Sequence, residues 1–486
     1  MIIAFMGNDG SGKTTIAKEL VKIFRDLGFE VIYKHEYEYT ILKFLFRAVG
    51  MEKIRSERKK MIVKREKSWK YYLWPFLVWF DVHCSLVFFK LLKRKAIVIF
   101  DRYLYDHYLS FKHLGYLTGL SELLYTKFSL KPDIAFVLWV EPRIAYMRKK
   151  RTHNYDISFY VEQTKRYIEL SKMLRVNTVN TNKSVVDTVN EIFMKLPEDK
   201  LTYFLRKGIQ NRVLFSVIKK YSLNSACMKF NQALDERDKK LKKTFTVVKD
   251  LFERSGVRKY CVIKTLTSEG WMGNDVDILV SKSDFDKIIG KLKELNTSKI
   301  VLIHKFGEKG KVDIHVQDGF TIDLHSYIGW RNVAFIPSED IINKNLLVKK
   351  RNNICFAEEK VNSIIILTHV FEKGFVTLDE YNFLRNRFDE TFMQTNFPHL
   401  HVLLSDYISW ITKTLREKRN RSYPLFIPMP IIIKCYLKLL FYSKNGHSNM
   451  FWKLKAIVRD ISFMIFWRIR YILKSKLPFE GFSDER

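Results

Sequence analysis

Glycine and proline are scarce in this chain, 19 and 10 of 486 residues. That scarcity excludes a collagen-like or linker-rich design. Cysteine is scarcer still. Cys84, Cys227, Cys261, Cys355 and Cys435 are scattered, odd in number and form no Cys-x-x-Cys pair, so neither a disulfide framework nor a zinc knuckle is expected. Acidic residues are in short supply: 52 Asp and Glu face 85 Lys and Arg, for a net charge of +33 and a pI near 9.7. Such a field attracts polyanions (nucleotides, nucleic acid, an anionic membrane) without choosing among them. Met1 runs straight into IIAFMG with no basic n-region or apolar h-region before it, so no secretory segment is expected and the setting reads as cytoplasmic. Unbroken apolar runs of membrane length are missing too. Tyr71–Phe89 carries Pro75, Asp81 and His83, and Leu425–Tyr442 carries Pro428, Pro430, Lys434 and Lys438. A central charge costs about 2.5–3.5 kcal/mol on insertion, so the first stretch is expected to be a buried core helix, and the second fails as a span for the same reason.

What is present can build real cores: 47% of residues are hydrophobic and 15% aromatic, which excludes a disordered chain. At roughly 100–200 residues per domain the length suggests two to four domains. The first region alternates short apolar runs (Ile2–Met6, Phe29–Tyr33, Ala96–Phe100, Ile134–Val140) with helical spacing (Thr14–Leu27, and a last helix near Val185–Met194). Continuous β-branched runs are those of strands buried on both faces, so residues 1–197 are expected to form a doubly wound α/β domain with a parallel sheet. Residues 198–250 read as a charged helical bridge. Strand candidates then crowd together: Tyr260–Lys264, Asp275–Val280, Ile300–Ile303, Lys311–Val316 and Phe320–His325, with a helix over Ser283–Leu295 and a Gln317–Gly319 hairpin turn. Residues 251–360 are expected to be a small α+β domain, and 361–486 a basic helical region.

Chemistry is concentrated first at Gly7-Asn8-Asp9-Gly10-Ser11-Gly12-Lys13-Thr14-Thr15. Glycines at this spacing, between a strand and a helix, let successive backbone N–H groups converge on phosphate oxygens at the positive end of the helix dipole. Lys13 would then bridge the β- and γ-phosphates of ATP, and the Thr14 hydroxyl would hold Mg²⁺. The acidic Asp9 before the second glycine resembles the phosphate loop of thymidylate kinases. Two further blocks agree in order and spacing: Phe100-Asp101-Arg102-Tyr103 resembles that family's DRY motif, and Lys131-Pro132-Asp133-Ile134 through Val140-Glu141-Pro142 its next strand. The resemblance covers residues 1–197 and implies an ATP- and Mg²⁺-dependent phosphotransferase. Asp101 would hold the Mg²⁺ shell or orient the acceptor, and Arg102 would offer a planar fork to an acceptor phosphate. Arg148 and Arg151 occupy the place of the family's lid, although a basic run there equally suits a solvated helix face. After the second strand the usual Arg-Glu-Pro-Gly loop is replaced by Tyr33-Lys34-His35-Glu36-Tyr37-Glu38-Tyr39. The acceptor is therefore expected to be a nucleotide or other small phosphorylated compound, with thymidylate itself not specified.

A second constellation is Asn274-Asp275-Val276-Asp277-Ile278-Leu279-Val280 with Ile322-Asp323-Leu324-His325. Carboxylates two apart on a strand share a face, and a third from a neighbouring strand would complete a cage for one or two Mg²⁺ ions. Asp275, Asp277 and Asp323 resemble the carboxylates of polymerase-beta-like nucleotidyltransferases over about residues 245–390. Where that family carries a Gly-Ser or Gly-Gly turn, this chain has Lys264-Thr265-Leu266-Thr267-Ser268, with Lys264 and Ser268 as partial substitutes. His304, His315 and His325 lack the spacing of a zinc site and are expected to be satisfied strand histidines. Finally, Ile411–Lys476 carries fifteen Lys and Arg against Glu417 and Asp460, interleaved with pairs such as Phe451-Trp452. This tail is expected to cap the preceding domain, or alternatively to meet nucleic acid or anionic membrane. The combined expectation is a kinase fused to a nucleotidyltransferase-like domain. The alternative is an ATP-binding regulator with degenerate centres.

Overall fold

The computed structural model describes residues 1–35, 69–92, 96–150, 155–211, 213–223, 228–257, 259–264, 275–294, 300–304, 310–330, 333–342, 348–351, 354–417 and 423–441, with short pieces between 457 and 465. Two compact units emerge: one chiefly Met1–Gly208 with Leu214–Cys227, the other chiefly Met228–Arg419 and Tyr423–Arg486.

The first unit is a five-stranded sheet in the order β2-β3-β1-β4-β5, with every pairing parallel. Its strands are β1 (Ile2–Gly7), β2 (Val31–His35), β3 (Ile97–Asp101), β4 (Ile134–Trp139) and β5 (Asn177–Asn180). β1 and β3 are buried along their whole length, as their unbroken apolar sequence requires of central parallel strands. Helices α1 (Lys13–Asp26), α2 (Trp69–Leu92), α3 (Leu104–Leu114), α4 (Gly119–Lys127), α5 (Pro142–Lys149), α6 (Ile157–Leu174) and α7 (Val185–Met194) accompany the sheet. Because β1 and β3 pair with Phe5 beside Asp101, the loops leaving their carboxyl ends are neighbours. That edge is where open α/β sheets bind ligands.

Two expectations change here. The segment over Tyr71–Phe89 is helical, but its burial is one-sided. Val78, Asp81, Val82 and Leu86 are buried while Leu73, Phe80, Val87 and Phe88 on other faces are exposed. By length and composition alone Tyr72–Lys90 could cross a membrane, and 28% of it is buried. The expected helical bridge is also divided. α8 (Glu198–Gln210) and α9 (Leu214–Lys220) fall largely with the first unit, where the Phe204 ring lies 4.5 Å from that of Phe24. α10 (Met228–Arg254) belongs to the second.

The second unit holds a seven-stranded mixed sheet, β13-β14-β6-β7-β10-β9-β8. Its strands are β6 (Tyr260–Val262), β7 (Asp275–Val280), β8 (Ile300–His304), β9 (Lys311–Val316), β10 (Thr321–His325), β13 (Val348–Arg351) and β14 (Ile354–Ala357), with a separate hairpin of β11 (Tyr327–Trp330) and β12 (Val333–Pro337). Alternation along the strands sorts the faces. Val276, Ile278, Val312, Ile314, Ile322 and Leu324 face a core completed by Val247, Leu251 and Phe252 of α10 and Ile288 and Leu292 of α11 (Lys282–Glu294). The opposite face carries the polar residues of the same strands. Helices dominate from Glu359 onward, as expected. Most of the basic tail beyond Phe441 lies outside the described residues.

Candidate functional sites

In the first unit the site begins with the turn that β1 makes into α1. Gly7 passes so close to β4 that an added Cβ would sit 1.9 Å from the Leu138 carbonyl oxygen. Gly10, at φ +83°, would place a Cβ 3.0 Å from Ala145 of α5. Side chains are therefore excluded where backbone must be reached. The Asp9 amide donates to Gln163 Oε1 at 2.8 Å, and the Asn8 side-chain amide donates to Thr164 Oγ1 at 2.9 Å, so α6 pins the loop. Lys13, almost wholly buried, folds its ammonium back onto the carbonyls of Gly7 and Asn8 at 2.7 and 2.9 Å. Burial, with the Arg102 charge second, lowers its pKa to about 8, against the pull of Asp106, Asp9 and Asp101.

Asp101 ends β3 and is buried. Its Oδ2 accepts from the hydroxyl of Thr14 at 2.5 Å and that of Tyr33 at 2.9 Å, and lies 2.6 Å from His35 Nδ1. Its Oδ1 is buried with no hydrogen-bond partner, as are Asn8 Oδ1 and Ser11 Oγ of the loop. Leaving buried polar atoms unmatched costs about 1–3 kcal/mol each. Three such atoms around one loop mark a place shaped for polar occupants. Arg102, at φ 90°, donates to Asp9 Oδ1 at 2.7 Å. Burial opposes its charge, but Asp106 and Asp9 outweigh that and hold it above the usual arginine value. The motif acid Asp9 thus orients the motif arginine.

Arg148, exposed on α5, donates to the Gly10 carbonyl at 3.0 Å and the Thr181 carbonyl at 3.2 Å, so it stands on the phosphate loop. Arg151 lies outside the described residues, as do Glu36–Tyr39. The sequence reading missed Asp106. This buried acid caps α3 by accepting the Tyr103 amide at 2.7 Å and also accepts from Tyr167 at 2.7 Å. Burial raises its pKa against the opposing charges of Arg102 and Lys13. An acid at the third helical position after the DRY strand was the available signal.

The second unit gathers a different set. β10 lies between β7 and β9 in a register that sets Asp323 directly beside Asp277 on one side and Asp313 on the other. Carboxylate oxygens of Asp277 and Asp323 and a ring nitrogen of His325 lie within 4.8 Å of one another. Like charges directly opposed on a sheet repel, and the structure answers with cations. Lys264 Nζ donates to Asp277 Oδ1 at 2.6 Å, and Lys311 Nζ to Asp323 Oδ2 at 2.9 Å while lying 3.8 Å from Asp313. Lys264 takes φ 58°, and its amide donates to Asn362 Oδ1 at 2.7 Å. Despite burial, Lys264 and His325 hold the Asp277 carboxyl far below its usual range. Burial and the Asp277 charge push Asp323 up against the pull of Lys311.

Among the described residues the grouping differs from the expected one in three places. Asp275, at the start of β7, is not part of the three-residue cluster; His325 takes that place, 3.0 Å from Asp277. His325 is therefore a member of the site and not simply a satisfied strand histidine. Lys264 stands on the acids themselves, and Ser268 lies outside the described residues. His315 is satisfied, 3.0 Å from the Thr321 hydroxyl. Lys311 and Asp313 were missed, because only the strand register brings them into the row.

Residues 5–192 match the thymidylate kinase family model. A probable thymidylate kinase of Methanocaldococcus jannaschii is 27% identical over 197 residues, which is 40% of this chain and 93% of that protein. A thymidylate kinase of Caldicellulosiruptor saccharolyticus is 24% identical over 216 residues, 41% of this chain and 96% of the relative. A solved structure of deoxyadenosine kinase from M. mycoides aligns with 42% of this chain and 99% of its own at 20% identity, with a TM-score of 0.29. At that score it adds nothing to the fold described above. The family match lies wholly within the first unit, and over residues 5–192 the chain is similar to thymidylate kinases.

Proposed function

We propose that the first unit transfers the γ-phosphoryl group of ATP, with Mg²⁺, to a nucleotide or a related small phosphorylated acceptor. The observation that carries this is the pairing of a buried Lys13, whose ammonium rests only on loop carbonyls, with unmatched polar atoms on the same loop. A polyphosphate entering there would draw the Lys13 ammonium from the Gly7 and Asn8 carbonyls onto its β- and γ-oxygens and accept hydrogen bonds from loop amides. Mg²⁺ fits the donor set. The Thr14 hydroxyl gives its proton to Asp101 and keeps its lone pairs, and Asp101 Oδ1 is a bare, hard oxygen beside it. When bound, Mg²⁺ would neutralise charge on the phosphate oxygens. Arg102, oriented by Asp9, would present its remaining N–H groups toward the acceptor, and Arg148 would steady Gly10. No covalent nucleophile is required; positioning and electrostatics supply the catalysis. Tyr33 and His35 on Asp101 stand where the family's usual loop is replaced, and they support an acceptor pocket of its own kind. The test is transfer from radiolabelled ATP to a panel of nucleotides and sugar phosphates. Transfer that Lys13→Ala abolishes supports the reading; undiminished transfer in that variant refutes it.

For the second unit we propose a nucleotidyltransferase-like role, favoured by the in-register row of Asp277, Asp323 and Asp313 on one sheet face. Nucleotide transfer measured in a Lys13→Ala background should disappear in Asp277→Asn plus Asp323→Asn, and transfer that survives would remove those carboxylates from the chemistry. Among the described residues, Cys84, Cys261 and Cys435 carry no disulfide, which supports the cytoplasmic setting as part of the same proposal.

A further inference from the structure

The metal pair implied by the nucleotidyltransferase resemblance meets an obstacle in the residues themselves. A divalent ion needs carboxylate oxygens turned toward it, with hard oxygen ligands completing its shell. Here Asp277 Oδ1 is engaged by both Lys264 Nζ and His325 Nε2, and Asp323 Oδ2 by Lys311 Nζ. Asp275, expected as a ligand, is outside the cluster. Asp277, Asp313 and Asp323 already face two lysine ammonium groups and the ring of His325. A lysine ammonium on a carboxylate oxygen repels a divalent cation and competes for the same lone pairs, and two ammonium groups already stand against the two acids that a metal pair would bridge.

Lys264 is not a loose side chain that has wandered in. Its backbone is fixed in the left-handed region, its amide is tied to Asn362 of the helix Glu359–Lys373, and the preceding residue, Ile263, donates its own amide to the Asp277 carbonyl. Lys311 is set by register: β9 pairs with β10 so that Lys311 lies opposite His325 and Asp313 opposite Asp323.

We infer that Lys264 and Lys311 are the resident counter-ions of this carboxylate row, so that the second unit excludes divalent cations until an anionic ligand draws an ammonium away. The ligand chemistry that would do so is a polyphosphate, whose oxygens compete for the same ammonium groups. The inference concerns the same residues as the nucleotidyltransferase reading but stands on cation binding, so it is decided even where no nucleotide transfer is found.

The test is Mn²⁺ binding followed by electron paramagnetic resonance on the full chain without nucleotide. The wild-type chain is expected to show no Mn²⁺ uptake that Asp277→Asn plus Asp323→Asn removes. Lys264→Met and Lys311→Met, made singly, should each create such a site, tightening Mn²⁺ binding at least tenfold, and should each lose thermal stability that Mn²⁺ restores. Lys311→Met combined with Asp323→Asn deletes both members of a pair, and its melting temperature should recover without Mn²⁺; this variant keeps the test readable if the single ones fold poorly. Micromolar Mn²⁺ uptake by the wild-type chain, abolished by the two Asp→Asn changes, would overturn the inference. So would single lysine variants with wild-type Mn²⁺ affinity, or a double variant no more stable than Lys311→Met alone.

Discussion

The two units each bury lysine, and they do so for opposite ends. In the first, the Lys13 ammonium rests on backbone carbonyls, with Arg102 adding repulsion, and its pKa falls to about 8. In the second, Lys264 and Lys311 each touch a carboxylate and hold their protons more tightly than an exposed lysine does, burial notwithstanding. A buried cation without a full counter-ion destabilises the fold and is poised for a ligand; a buried cation that is paired has already met its partner. The comparison separates a site prepared for an anion from a site that supplies its own cations.

The sharpest way to break the comparison is to delete each lysine. Lys13→Met should lower phosphoryl transfer by ~10²-fold or more and yet raise the melting temperature, because it removes a strained buried charge. Lys264→Met should do the reverse. It leaves the buried Asp277 carboxylate with His325 but without its ammonium partner, at a cost of about 3–5 kcal/mol, and leaves the first unit's transfer rate unchanged. If calorimetric scans show both variants losing stability, the distinction fails.

The next effect is on pH. With Lys13 at about 8 in the free protein, kcat/KM for ATP should be flat below that value and fall about tenfold per pH unit above it, as the ammonium is lost. The stability sign is opposite. Between about pH 8 and the ordinary lysine range the unfolded chain holds more protons than the folded one, so rising pH relieves the burial of Lys13 and favours folding. A pH–rate profile and pH-dependent melting check the two limbs separately.

Smaller effects sharpen the picture of how the first site is held. Asp9→Asn weakens the charge-assisted bond that orients Arg102, and we expect a drop of about tenfold in kcat/KM for the acceptor, with that for ATP less affected. Gly10→Ala should cost ~1–3 kcal/mol, since it combines a left-handed backbone with a Cβ against Ala145, and a denaturant titration would read it.

The same contrast explains what was legible in the sequence. The phosphate loop is contiguous: β1, the turn and α1 follow one another, so residue type, spacing and local structure announce the site together. Asp101 and Arg102 were legible because they end a buried strand at the ligand edge of the sheet. The carboxylate row is assembled from three strands and the turn after a fourth, spread over residues 264–325, and only register decides which strand side chains meet. Alternation placed Asp277 and Asp323 on one face, but it placed Asp275 there equally. It carried no information about Lys311 and Asp313, which reach the row only because β9 pairs with β10. The one-sided burial of Trp69–Leu92 was hidden for a related reason: a helix apolar all round gives no pattern by which to tell the covered face from the open one.

The most direct test of the central claim, that the buried Lys13 ammonium waits on loop carbonyls for a polyphosphate, is titration calorimetry of ATP with Mg²⁺ at about pH 8.5, above its lowered pKa, in buffers of different ionisation enthalpy. Proton uptake is expected on binding to the wild-type chain, as the bound phosphates return Lys13 to its charged form, and no such uptake with Lys13→Met. Nucleotide binding to the wild-type chain with no proton taken up, or with an affinity that Lys13→Met leaves unchanged, would contradict it.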